Sequence, residues 1–352
     1  MKNNRKQVRV GGIYIGGGAP VTVQSMTNVD SHDFGAVYAQ ISALAAAGCD
    51  IVRLAVPDIE AADTVAALKK SDITVPLVAD IHFDYKIALA CAAAGVDKIR
   101  INPGNIGERY KVAEVVAACR DGGIPIRIGV NGGSLKREIL NKYGAPTAEA
   151  LAESAMEHVH ILEELNFSDI VISIKSSDVR TMINANRILH GTCDYPLHIG
   201  VTEAGSAHMG TLKSAVGIGS LLCDGIGDTI RVSLTADPLL EVKEGRALLS
   251  ALGLGGGAID VVSCPTCGRT KIDLIGLSAR FEEEILPSLR PSRRLKVALM
   301  GCAVNGPGEA READIGIAGG VGEALLFKKG EIVGKYPEDR ILEVLRDEIN
   351  RM

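Results

Sequence analysis

The sequence predicts an α/β protein: a closed (β/α)8 TIM barrel followed by a smaller α+β domain. Three observations carry that reading. Between residues 20 and 250, eight short aliphatic runs alternate with alanine-rich helical patterns, the rhythm of parallel strands joined by crossover helices. Hydrophobic residues make up 47% of the chain but aromatics only 3%, with 40 Gly and no Trp, which suits short aliphatic strands and many tight turns. A glycine-rich stretch, LGLGGGAID at 252–260, then breaks the pattern before a new apolar run.

The strands are expected at PVTVQSM (20–26), DIVRLAV (50–56), VPLVADI (75–81), DKIRIN (97–102), PIRIGVN (125–131), DIVISIK (169–175), PLHIGVT (196–202) and DTIRVSL (228–234). Eight such units match a closed barrel, whereas an open doubly wound sheet uses fewer strands and a GxGxxG turn after the first. GGIYIGGGAP near the start resembles that turn but precedes a strand, and reads as a flexible entry segment. The domain limits are 1–253 for the barrel, 254–257 for the linker and 258–352 for the second domain. There the expectation is a strand at AIDVVS, a helix at 272–285, a strand at LKVALMG, strands near ADIGIAG and EALLFKKGEIVGKY, and a helix from about 338 to 350.

A net charge of -5 leaves no global basic footprint, which argues against nucleic acid as a partner. The segment MKNNRKQVRVGG lacks the apolar centre of a signal peptide, and no run approaches the roughly 20 apolar residues of a membrane span, so a cytoplasmic protein with no membrane partner is expected. Cys49, Cys91, Cys119, Cys193 and Cys223 stand singly in Ala/Gly-rich surroundings and read as small buried thiols.

Barrel enzymes place binding and catalytic groups at the C-terminal ends of their strands. Here Arg53, Arg100, Arg127, Lys175 and Arg231 lie in or at the end of five different strands. Gathered at one mouth and unpaired, they would repel one another by several kcal/mol, so a di- or trianionic ligand such as a diphosphate accounts for them. Asp80 and His82 in ADIHFD, Asn102 in RINPGN, Asn131 in GVNGGS and Glu203 in HIGVTEAG are the polar groups beside them. Asp80 also suits a partner for a barrel arginine, and Glu203 a similar salt bridge. A carboxyl group flanked by phosphate has its pKa raised by like charge, which would let Glu203 deliver a proton to a leaving oxygen. His158, His160 and His190 fall on helical patterns and read as surface or packing residues.

The remaining three cysteines cluster. Cys264-Pro-Thr-Cys267 is followed 35 residues later by Cys302 in MGCAVNGPGE, and no histidine lies beyond His208. A closed zinc site wants four Cys or His ligands, so an iron-sulfur cluster with one weaker oxygen ligand fits this set better than zinc or a reducible dithiol. Glu309 is the nearest anionic candidate for the fourth position, with Glu312 its rival.

With these motifs in place, the chain resembles the 4-hydroxy-3-methylbut-2-en-1-yl diphosphate synthases of the methylerythritol phosphate route to isoprenoids. The resemblance rests on PVTVQSMTN, IVRLAVP, ADIHFD, KIRINPGN, IRIGVN and HIGVTEAG, and most specifically on SCPTCGR with MGCAVNGPGEA. It implies a barrel joined to an iron-sulfur domain similar to half of a sulfite or nitrite reductase, without the central domain of the plant type. The implied reaction is the reductive opening of 2-C-methyl-D-erythritol 2,4-cyclodiphosphate to 4-hydroxy-3-methylbut-2-en-1-yl diphosphate with loss of water. It further implies one [4Fe-4S] cluster on Cys264, Cys267, Cys302 and Glu309, with Glu309 exchangeable, and flavodoxin or ferredoxin as external donor. Arg53, Arg100, Arg127, Lys175 and Arg231 then resemble diphosphate clamps, Glu203 the proton donor, and Asp80 and Asn131 supporting polar groups, with His82 and Asn102 on the substrate side. A head-to-tail homodimer, one chain's cluster domain capping the other's barrel, belongs to the same resemblance. The rivals are a different iron-sulfur enzyme and a redox sensor whose barrel binds a phosphorylated signal.

Overall fold

The computed structural model describes residues 5–255, 259–289, 291, 293–303 and 310–352. The chain divides into two compact units, Met1–Gly255 and Gly256–Met352.

The first unit opens with a hairpin of β1 (Val8–Val10) and β2 (Ile13–Ile15), paired antiparallel. The flexible entry segment expected here is therefore replaced by structure. Its apolar side, Val8, Val10 and Ile15, packs on Ile51, Val78 and Val171 at the beginnings of three barrel strands, so the hairpin plugs the bottom of the barrel. The alternation of apolar and exposed residues over VRV, with a glycine turn, is the signal that a short strand gives.

Eight parallel strands follow: β3 (Thr22–Met26), β4 (Ile51–Ala55), β5 (Leu77–Asp80), β6 (Lys98–Ile101), β7 (Ile126–Asn131), β8 (Ile170–Lys175), β9 (His198–Ile199) and β10 (Thr229–Ile230). Their order is β8-β7-β6-β5-β4-β3-β10-β9, and a parallel bridge between Ile172 and Leu197 joins β8 to β9. The barrel is closed there by the Ile172 amide donating to Pro196 O at 2.9 Å. Buried on both faces, these strands are near-continuous runs of Ile, Val and Leu, as parallel strands are.

The outer helices are α1 (Phe34–Ala46), α2 (Ile59–Lys70), α3 (Tyr85–Ala93), α4 (Pro103–Ile106), α5 (Arg109–Gly122), α6 (Arg137–Tyr143), α7 (Ala148–Glu164), α8 (Val179–Thr192), α9 (Ala207–Cys223) and α10 (Pro238–Ala251). Asp33, Asp58, Asp84, Asp178 and Asp237 each cap a helix by accepting a backbone N–H of its first turn, which contributes about 1 kcal/mol apiece. Each cap fixes where a loop at the mouth ends. Of the five scattered cysteines, Cys49, Cys91 and Cys119 are buried, whereas Cys193 is half-buried and Cys223 is exposed. Cys223 ends α9 on its solvent side, which corrects its reading as a buried thiol.

The second unit is a sheet of order β11-β12-β13-β14-β15, parallel across β11 (Ile259–Ser263), β12 (Leu295–Met300) and β13 (Ile315–Gly319), then antiparallel through β14 (Glu323–Lys328) and β15 (Glu331–Pro337). Helices α11 (Leu274–Arg280) and α12 (Ile341–Ile349) share its main core, where Leu277, Leu345 and Ile349 meet Leu295, Val297 and Ile317. Ala298, Met300, Ala318 and Phe327 form a smaller core on the other side of these strands. Among the described residues, no helix is long and apolar enough to cross a membrane.

Candidate active site

Strand register lines up the charged residues of the barrel. Asp80 on β5 stands opposite Arg100 on β6, which stands opposite Arg127 on β7. Arg100 Nη1 donates to Asp80 Oδ1 at 3.0 Å, and Arg53 Nε lies 3.7 Å from Asp80 Oδ2. Burial raises the Asp80 pKa, but Arg53, the hydrogen bond from His82, Arg100 and Arg127 outweigh it and hold the carboxyl well below its usual range. Asp80 is thus a buried counter-ion shared by two arginines. His82, half-exposed, has Nε2 at 3.7 Å from Asp80 Oδ2.

Arg100 can lie where it does because Gly129 on β7 has no side chain. A Cβ there would sit 2.4 Å from Arg100 Nε and 2.6 Å from Nη2. Arg127 is fully buried and reaches Gln24 Oε1 at 3.4 Å, while its Nε and Nη2 have no hydrogen-bond partner among the described residues. Lys98, two residues before Arg100 and so on the same face of β6, is also fully buried with an unpartnered Nζ. Burial, reinforced by Arg127 and Arg53, pushes the Lys98 pKa well below its ordinary value. Burial acts likewise on Lys175 at the end of β8, which is pushed down to about 6 with help from Arg53, Arg100 and Arg127.

Arg231 follows β10 and meets Glu241 on α10, whose buried carboxylate lies 3.3 Å from both Nε and Nη2. Arg53 Nε and Nη2 donate to Met26 Sδ at 3.0 and 2.8 Å. Among the described residues, four arginines, Arg53, Arg100, Arg127 and Arg231, are thereby answered by two carboxylates, Asp80 and Glu241, while Lys98 and Lys175 beside them are pushed toward their neutral form. Each buried unsatisfied donor costs about 1–3 kcal/mol, a cost that an anion at the mouth would offset.

The mouth has room for one. A cavity of about 480 Å³ is lined by Asn131, Lys175, Ser176, Thr202 and Glu203 among others. A small recess of about 30 Å³ beside it is lined by Arg53, Lys175, His198 and Arg231. Asn131 and Lys175 face one another in register. Glu203 is exposed and holds φ at 51°, a left-handed backbone that costs a non-glycine residue about 1–2 kcal/mol. Such strain is concentrated at functional sites, and here it turns Glu203 into the cavity wall. Asn102 does something else: its Oδ1 accepts from Gly104 N at 3.0 Å and caps α4. Sequence reasoning passed over Lys98, His198, Met26 and Glu241. The first two carried a signal, being polar residues one strand period before Arg100 and Gly200.

In the second unit, two turns converge. The Gly301 amide donates to Cys264 Sγ at 3.2 Å, and the Lys271 amide donates to Gly301 O at 3.0 Å, so the CPTCGR loop and the segment carrying Cys302 are bonded together. Cys267 is exposed and Cys302 is buried. The backbone N–H and then the guanidinium of Arg269 hold the Cys267 thiol below its ordinary pKa, and Arg269 is itself drawn up by Cys267 and Cys302. Thiolate is the ligating form, so this donor set fits a thiophilic metal group. Among the described residues, no three Cys, His, Asp or Glu side chains are gathered closely enough to hold one ion. An iron-sulfur cluster makes a different demand, since each of its cysteines binds a separate iron. Glu309 lies outside the described residues. Its rival Glu312 is exposed, with a carboxylate oxygen 3.6 Å from Lys296 Nζ.

Fold and site together define a two-unit barrel protein with arginines and a lysine gathered at the barrel mouth and a cysteine site in its second unit. Residues 5–246 match the GcpE TIM-barrel domain and residues 260–351 the GcpE protein C-terminal domain. The chain is 57% identical over 352 residues to the 4-hydroxy-3-methylbut-2-en-1-yl diphosphate synthase (flavodoxin) of Geobacter sulfurreducens, covering 100% of this chain and 99% of that one. It is 57% identical over 345 residues to the protein of the same name from Clostridium perfringens, covering 97% and 98%. The barrel alone is similar in fold to type I 3-dehydroquinate dehydratase of Clostridium difficile, with a TM-score of 0.52 and 16% identity over 71% of this chain and 98% of that one. The chain belongs to the GcpE family, the 4-hydroxy-3-methylbut-2-en-1-yl diphosphate synthases, which are iron-sulfur oxidoreductases.

Proposed function

We propose that this protein reduces 2-C-methyl-D-erythritol 2,4-cyclodiphosphate to 4-hydroxy-3-methylbut-2-en-1-yl diphosphate and water, with electrons delivered by flavodoxin or ferredoxin. The observation that carries the reading is the excess of buried cations over carboxylates at the mouth, in a chain that also brings Cys264 and Cys302 onto two bonded turns.

In this reading the 1–253 barrel holds the substrate and the 258–352 domain holds a [4Fe-4S] cluster on Cys264, Cys267, Cys302 and Glu309. When bound, that cluster supplies the two electrons one at a time. The barrel residues do the rest. Arg53, Arg100, Arg127, Lys175 and Arg231 clamp the diphosphate, and Lys175 takes up a proton as the anion arrives, because negative charge opposes the burial and the arginine repulsion that lower its pKa. Asp80 keeps Arg53 and Arg100 aimed at the mouth, and Asn131, in the wall of the cavity, offers its side-chain amide to a substrate hydroxyl. Opening the ring breaks one carbon–oxygen bond to the diphosphate, and Glu203 gives a proton to the hydroxyl that departs as water. His82 stands at the rim of the same mouth, and Asn102 shapes the loop after β6. A cytoplasmic homodimer, with each cluster domain capping the partner's barrel, would exclude water from this chemistry.

Anaerobic turnover tests the reading. Protein with reduced flavodoxin and the cyclic diphosphate should yield the open-chain diphosphate, while tight binding of the cyclic diphosphate without turnover would favour a sensor.

A further inference from the structure

Glu241 is assigned no role by the sequence motifs, yet it is a buried carboxylate with partners on three sides of the mouth. Its Oε2 accepts from Ser25 Oγ at 2.9 Å, and its Oε1 accepts from the Leu234 amide at 3.0 Å. Arg231 presents Nε and Nη2 to it at 3.3 Å each. Glu241 sits in the first turn of α10, where the helix dipole favours a negative charge.

The need for such an anchor lies in β10. Its strand proper spans only two residues, Thr229 and Ile230, and although the Arg231 amide still donates to Ile199 O at 3.0 Å, the segment on to Leu234 lies beyond the ladder. Gly200 lets the Arg231 backbone come close: a Cβ there would lie 2.4 Å from Arg231 O. The Arg231 side chain would be free to sample several rotamers, at the entropy cost of a long flexible stem. Glu241 takes the Nε and Nη2 edge of the guanidinium, ties down Leu234, and anchors to β3 through Ser25. Nη1 is left toward the recess shared with Arg53, Lys175 and His198, with Met26 Sδ its contact at 3.8 Å.

We propose that Glu241 is a positioning residue, which holds Arg231 with one edge turned to the diphosphate of the substrate. The assignment rests on the substrate reading given above. Glu241 itself touches no substrate; it acts through Arg231, so its effect belongs to binding and vanishes when Arg231 is absent.

The test is a double-mutant cycle on the full-length, cluster-loaded protein, with Glu241→Gln, Arg231→Met and the pair, read by calorimetric binding of 2-C-methyl-D-erythritol 2,4-cyclodiphosphate and by KM and kcat. Glu241→Gln should weaken binding and raise KM about tenfold with kcat within about threefold of wild type, and should add nothing to Arg231→Met. Wild-type affinity in Glu241→Gln, or losses that multiply in the pair, would overturn the assignment. Should Glu241→Gln fail to fold, Ser25→Ala, which removes one anchor of the same carboxylate, must raise KM about twofold to threefold without lowering kcat; an unchanged KM overturns the assignment equally. Wild-type protein that does not bind the cyclic diphosphate overturns the substrate reading instead, and is told apart by failing before any variant is compared.

Discussion

Gly129→Ala is the most economical probe of how the cationic mouth is assembled. The added methyl would fall 2.4 Å from Arg100 Nε, 2.6 Å from Nη2 and 2.9 Å from Cζ, contacts that no real Cβ makes. The obstructing atoms are the end of a flexible side chain, so Arg100 swings aside and the backbone of β7 stays put. The 3.0 Å bond from Arg100 Nη1 to Asp80 is then lost, leaving Asp80 with Arg53 at 3.7 Å and His82 at 3.7 Å. Both partners are buried, so losing this charge-assisted bond should cost about 2 kcal/mol of stability. For a barrel of this size that lowers the melting temperature by about 4–8 °C. The displaced guanidinium also fails to meet the diphosphate, and a lost contact of about 2 kcal/mol weakens binding about 30-fold. Differential scanning calorimetry and isothermal titration with the cyclic diphosphate read both quantities on one preparation. A variant that melts with wild type and binds with wild-type affinity would refute the placement of Arg100 and with it the row Asp80, Arg100, Arg127.

Other expectations follow from the same geometry. Glu203→Gln should lower kcat about 100-fold while leaving the dissociation constant within about twofold, measured by steady-state turnover and calorimetry. Affinity for the cyclic diphosphate should fall as pH rises above 6, because free Lys175 titrates at about 6 and must be charged in the complex; titrations in buffers of different ionisation enthalpy should report proton uptake, which Lys175→Met removes. The sign for stability is the opposite: a lysine whose folded pKa is lowered costs stability below about pH 6 and progressively less as pH climbs toward its unfolded value, so Lys175→Met should gain most in acid, by chemical denaturation. Cys267→Ser should lose iron and turnover yet keep the barrel's affinity for the cyclic diphosphate, as measured by iron assay and calorimetry.

The strands of the barrel were legible because each is a short aliphatic run bounded by turn residues, and the five mouth cations because each interrupts or ends such a run. The hairpin at residues 8–15 was not, since three-residue strands carry too little alternation to stand out against a glycine-rich segment. Asp80 illustrates a second limit. Its place at the end of a strand leaves chemistry and a partner for an arginine both open, and only the register with Arg100, set by closure of the whole barrel, brings the two side chains together. Lys98 was hidden by the ordinary expectation that a lysine reaches solvent. Glu241 was hidden because its partners, Ser25, Arg231 and Leu234, lie on other elements, and the place of the Arg231 backbone depends on the bare Cα of Gly200. The cysteine spacing, by contrast, was local and spoke for itself.

Turnover as proposed depends on a cysteine-held iron-sulfur cluster that responds to the cyclic diphosphate. Its most direct test is anaerobic: iron and acid-labile sulfide per chain, then electron paramagnetic resonance of the reduced protein before and after 2-C-methyl-D-erythritol 2,4-cyclodiphosphate is added. The expected result is about four iron and four sulfide per chain, the content of one such cluster, with a signal that changes when the substrate is added. Zinc without sulfide, or a cluster signal indifferent to the substrate, would contradict it.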